Sequence, residues 1–138
     1  MGQQQLLLII LGLIIVGVAV VVGIGLFQDN AVDHNRALVI ADLKILGAKA
    51  QHYYNRPMTM GGGNKSFVGL TADARGIGLL AGTAYSNNAN GTYSIKDPGG
   101  TAANVVLEGA GKVMMSDETY ATYDLTVTFQ DQTLVKIH

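Results

Sequence analysis

The sequence predicts an α+β protein: one long N-terminal α-helix, apolar in its first half and amphipathic in its second, packed on a small C-terminal antiparallel β-sheet domain. Three observations predict it. No charged residue precedes Asp29, and Leu6 to Phe27 is an almost unbroken run of Leu, Ile, Val, Ala and Gly. From Asp29 onward apolar residues recur at helical spacing as far as Arg56-Pro57. The final third alternates apolar and polar residues between turns rich in Gly, Asn and Asp. The expected units are an apolar helix half over 1–28, an amphipathic half over 29–56 and a globular domain over 57–138.

The apolar run is roughly 22 residues long, about 33 Å as a helix, which matches a bilayer core of about 30 Å. A cleaved signal peptide would have a basic start and a shorter apolar stretch; this run begins Met1-Gly2-Gln3-Gln4-Gln5 and its helical pattern continues past Gly25. Gly12, Gly17, Gly23 and Gly25 each cost up to about 1 kcal/mol in a helix interior. The β-branched Val18, Val20, Val21 and Val22 lower helix propensity just ahead of Gly23-Ile24-Gly25. Helix loosening is therefore expected at Gly23 and Gly25. Ala19 and Gly23 form one small-xxx-small pair that would let another helix approach.

In the second half, Val39, Leu43, Leu46, Ala50 and Tyr53 alternate steps of four and three and form one apolar stripe. Leu38, Ala41, Ile45 and Ala48 form a second, while Asp33, Arg36, Asp42, Lys44 and Lys49 fill much of the rest. A helix with two apolar faces needs two partners. The first stripe is assigned to docking the chain's own domain or to an inter-subunit helix face. The other face then calls for a neighbouring helix from another copy. The helix ends at Asn55-Arg56-Pro57, because the residue before proline is pushed out of the α region.

Beyond it, Met58 to Lys65 reads as a flexible connection through Gly61-Gly62-Gly63. Thr71–Arg75 can start a short helix, which Gly76, Gly78 and Gly82 weaken. Tyr85 to Gly91 is a loop. Strands are expected at Thr92–Lys96, at Asn104–Glu108 (ended by Gly109-Ala110-Gly111), at Lys112–Met115 and at Thr122–Phe129. A tight turn at Asp131-Gln132 then leads into a strand over Thr133–Ile137.

Composition narrows the function. Net charge is -1 and pI about 6.2, so nothing draws the chain to nucleic acid. It has no cysteine, hence no disulfide or thiolate chemistry. His34, His52 and His138 lack ligand spacing. Asp117-Glu118, Asp124 and Asp131 lack the regular spacing of a Ca²⁺ loop and read as solvated loop charges. Gly109-Ala110-Gly111-Lys112 and Gly76-Ile77-Gly78 are fragments without the full spacing of a phosphate loop. No catalytic constellation, metal site or cofactor is expected. The sequons Asn64-Lys65-Ser66 and Asn90-Gly91-Thr92 lie in loops, where Asn64 and Asn90 are candidate glycan acceptors.

The plan of residues 1–55, together with Ala48-Lys49-Ala50-Gln51-His52-Tyr53-Tyr54-Asn55-Arg56-Pro57 at the helix end, resembles type IV pilins and the pseudopilins of type II secretion. In that family the apolar helix half packs in a filament core and the other half carries an outward-facing β-domain. The resemblance implies filament-core packing by Leu6, Leu13, Val16, Ala19, Val20, Gly23 and Phe27. It implies passage through the cytoplasmic membrane with assembly machinery as partner, then a helical homopolymer of copies on the cell surface. The family has a glutamate at the fifth mature position. That place is Gln5 if Met1 is the mature first residue and Leu7 if cleavage follows Gly2. In either register Gln3, Gln4 and Gln5 are expected to satisfy the N-terminus by hydrogen bonds, or the terminus reaches water. The family's mid-helix proline is missing, and Gly23 and Gly25 take its place. The alternatives are a single-pass membrane protein with a small exported binding domain, or a minor pseudopilin.

Overall fold

The computed structural model describes residues 2–138. Helix α1 runs from Gly2 to Asn55, 54 residues, or about 80 Å at 1.5 Å per residue. A short helix α2 (Ala74–Ala81) follows, then four strands: β1 (Gly91–Ile95), β2 (Asn104–Met114), β3 (Tyr120–Thr128) and β4 (Gln132–Lys136). The strands form one antiparallel sheet in sequential order. The fold is α+β, a long N-terminal helix laid on a small antiparallel sheet.

The core lies between α1 and the inner sheet face. Val39, Leu43, Leu46 and Ala50 are fully buried there, and Val32 extends their face by two turns. Strand alternation supplies the opposing layer: Ile95, Leu107, Leu125 and Leu134 stand in one cross-strand row, and Val105 faces Val127 in the next. Phe67, Leu70, Ile77 and Leu80 close the open side. Asp73 caps α2, its side chain accepting from the Arg75 N–H at 3.0 Å. Gly76 is required within α2, because a Cβ there would lie 2.1 Å from the Thr71 carbonyl oxygen.

Several expectations need correction. The helix runs unbroken through Gly23 and Gly25, where loosening was expected. A lone chain offers those residues no competing partner, so the ladder of i→i−4 bonds continues across them. Gly109-Ala110-Gly111 does not end a strand, and Lys112–Met115 is no separate one; the first and Lys112 to Met114 of the second belong to the 11-residue β2. The glycines serve close approach instead. Gly109 stands between Tyr93 and Tyr123 in its row, and a Cβ on it would come within 3.0 Å of Leu43 Cγ. A Cβ on Gly111 would lie 2.2 Å from Asn35 Oδ1. The flexible connection expected at Met58–Lys65 is a compact cap. Gly63 N–H donates to the Tyr53 carbonyl at 2.8 Å, Lys65 N–H to Tyr54 at 2.7 Å and Asn64 N–H to Arg56 at 3.0 Å. These bonds satisfy carbonyls that the helix end would otherwise leave open.

Candidate assembly interface

Every large apolar side chain from Leu6 to Phe27 is exposed, from 44% at Ile10 to 77% at Phe27. Leu6, Leu13, Val16, Ala19, Val20 and Phe27 are therefore exposed in a single chain, and Gly23 is half-exposed. The exposed apolar surface encircles the helix through six turns. Soluble monomers rarely show apolar patches beyond a few hundred Å², and larger ones mark membrane or protein contacts. Gln3, Gln4 and Gln5 are exposed on the first described turn.

The exposed surface continues onto the second half of α1. There the structure separates the two stripes. Val39, Leu43, Leu46 and Ala50 are inside the domain, with Tyr53 half-buried and its hydroxyl donating to the Val68 carbonyl at 3.2 Å. Ala41, Ile45 and Ala48 face outward, and Leu38 is half-exposed. Tyr54 packs tilted against Phe67 and stacks on Phe129, with ring centroids 4.9 and 5.9 Å away.

The rod is fixed to the domain by polar contacts that the sequence did not announce. Asp42, 9% exposed, is the hub. Its Oδ2 accepts from Tyr93 Oη at 2.7 Å, Asn90 Nδ2 at 2.9 Å and Asn88 Nδ2 at 3.0 Å, and its Oδ1 accepts from Tyr85 Oη at 3.2 Å. Burial pushes this carboxyl up, but the four donors together outweigh it and hold Asp42 below the usual carboxylate range. The same burial, with the Asp42 charge beside them, pushes the Tyr85 and Tyr93 hydroxyls above the ordinary tyrosine value. Asn35 adds a second tie. It donates to the Asn90 carbonyl at 2.7 Å and accepts from Lys112 N–H at 3.1 Å. Gln51 donates to the Thr128 carbonyl at 3.0 Å and accepts from Gln132 Nε2 at 3.2 Å. Three polar side chains of α1 thus hold the β1 approach, β2 and the β3–β4 turn. The signal for Asp42 was its place on the edge of the buried stripe, opposite a loop dense in Asn and Tyr.

Of the two candidate glycan acceptors, Asn90 is tied into the domain. The amide nitrogen that would carry the sugar is bonded to Asp42 and half-buried. Asn64 is exposed. Among the described residues no group of three or more His, Cys, Asp or Glu converges as metal ligands. Asp124 instead pairs with Lys96 Nζ at 2.5 Å on the outer sheet face.

Compared with known protein families, with curated proteins and with solved structures, the chain matches none.

Proposed function

We infer that the chain is a structural subunit of a helical, type IV pilus-like extracellular filament, held in the cytoplasmic membrane before assembly. One observation carries this reading. A single helix is bare of contacts over its apolar half and docked to its own domain over the other half. The most apolar 18-residue window of α1 is 0% buried, yet the domain has filled its own core without it. That segment has two apolar environments open to it, lipid and copies of itself. Moving from one to the other gives little hydrophobic gain, so close helix packing must favour the polymer. The outward stripe of Ala41, Ile45 and Ala48 supplies a second, water-side face for a neighbouring helix. Contacts of this kind are heterologous, and heterologous contacts that do not close propagate a filament.

The single-pass membrane protein is the competing reading, and it accounts for the bare apolar half equally well. It leaves the outward stripe without a partner, and it leaves unexplained why span and domain share one uninterrupted helix. Electron microscopy of the sheared cell-surface fraction, with mass spectrometry of the same material, separates the two. The filament reading expects uniform thin fibres composed of this chain. Recovery solely from detergent-solubilised membrane, without fibres under good expression, would sink it.

A further inference from the structure

Two clefts flank α1, and their charges are opposite. One, of about 390 Å³, lies near the junction with the apolar half and is lined by Asp29, Asp33 and Asp117 together with Arg36. Arg36 is already engaged, pairing with Asp33 at 3.0 Å and donating to Met115 Sδ at 2.9 Å, so the cleft remains acidic. The other, of about 300 Å³, lies at the far end of the helix and is lined by Lys49, His52 and Arg56 against Leu79 and Leu80 of α2. No acidic side chain lines it.

The placement of these clefts on one rod matters more than their charge alone. From Asp29 to Lys49 the helix advances about 30 Å and turns through about 200°, at 1.5 Å and 100° per residue. The acidic cleft therefore opens on one side of the rod and the basic cleft on roughly the opposite side, one displaced along the axis from the other. A twofold dimer needs the same patch on both partners. Complementary patches on opposite sides, offset along the axis, suit a head-to-tail series instead. Between them along the helix runs the exposed stripe of Ala41, Ile45 and Ala48, which permits a neighbouring rod to come close.

We propose that the basic cleft of one copy receives the acidic cleft of a second copy displaced by about 30 Å along the rod, fixing the axial stagger of the polymer. This rests on the filament reading and deepens it. Each exposed ion pair is weak. Its effect is on register, because alignments that bring acid to acid or base to base are penalised.

Zero-length carbodiimide cross-linking of assembled wild-type fibres tests this, since it joins a carboxylate to an amine already in contact. Lys49 is the one primary amine of the basic cleft, and a single rod holds it too far from Asp29 and Asp33 for a bond within one chain. Peptide mass spectrometry should find Lys49 joined to Asp29, Asp33 or Asp117, and Lys49→Arg should remove the product. In parallel, Lys49→Glu with Arg56→Glu should lower the fibre yield at least tenfold, and adding Asp29→Lys with Asp33→Lys should restore it. Wild-type fibres whose Lys49 joins none of the three aspartates, or a Lys49→Glu/Arg56→Glu chain that assembles normally, overturn the stagger and leave the filament reading standing. No fibres from the wild-type chain overturn both.

Discussion

The two halves of α1 share one backbone but differ in what their side chains meet. No residue from 2 to 28 is buried, and their four internal glycines have open space where a Cβ would be. Residues 29–55 are keyed to the domain, and the glycine they contain, Gly47, is closely covered: a Cβ there would lie 2.6 Å from Gln132 Oε1 and 2.8 Å from Leu125 Cδ2, so those side chains would have to shift. The same residue type thus has opposite meanings along one helix. In the second half glycine is a fitted contact, and in the first it meets open space. The folded chain is finished at one end, where α1 is packed on the domain, and unfinished at the other, where its apolar side chains are exposed.

The largest expected effect is on the unfinished half. Val16→Asp puts a carboxylate where lipid or packed helices must surround it, at about 3 kcal/mol per copy at the membrane centre. Fibres should be lost while the thermal unfolding of the detergent-solubilised domain stays unchanged. Intact fibres would break the contrast. Next comes the finished half. Leu43→Ala removes a fully buried side chain seated over Gly109, and should cost about 3–4 kcal/mol, read from the urea midpoint of the domain.

Asp42→Ala follows, leaving four donors without their acceptor, at about 2–3 kcal/mol. Because Asp42 titrates below its ordinary value in the folded chain, its ionised form favours folding. That contribution is complete above the ordinary carboxylate pKa and fades as pH falls through the lower folded value. Stability measured from pH 7 down to pH 2 should therefore drop less steeply below pH 4 in Asp42→Asn than in the parent. Parallel curves would remove Asp42 as the hub. The smallest effects come as a pair with opposite signs. Gly109→Ala should destabilise by about 1–2 kcal/mol, as Leu43 must give way. Gly17→Ala should raise helix stability by up to about 1 kcal/mol, and any accompanying loss of fibres would show that Gly17 lies at a packed helix contact.

Much of this was legible. The change of solvent at Asp29 is written in the charge pattern, and the stripe Val39, Leu43, Leu46, Ala50 follows directly from helical period. The expected last hairpin agrees with β3 and β4 to within about two residues at its ends, because β-branched and aromatic alternation around a polar turn has few other readings. The errors share one cause. Local pattern presents glycine as a source of freedom at Gly61-Gly62-Gly63, Gly76 and Gly109-Ala110-Gly111, whereas at Gly62, Gly63, Gly76, Gly109 and Gly111 it serves close approach. Such contacts join residues far apart in the chain, and local pattern carries no trace of them. The same holds for Asp42, Asn35 and Asn90, whose partners come from across the fold. The two charged clefts were partly visible as residues but not as places, since Asp117 and Leu79 reach them only through the tertiary fold.

The unbroken course of α1 has a mechanical corollary. With no hinge between the bare segment and the domain, orientation is transmitted along the shaft as it is along a keyed axle. One residue inserted near position 28 would swing the domain through about 100° of azimuth, whereas seven would return it to within about 20° of its starting phase while lengthening the shaft by about 10 Å. The direction in which the domain points is thus geared to the azimuth of the bare segment.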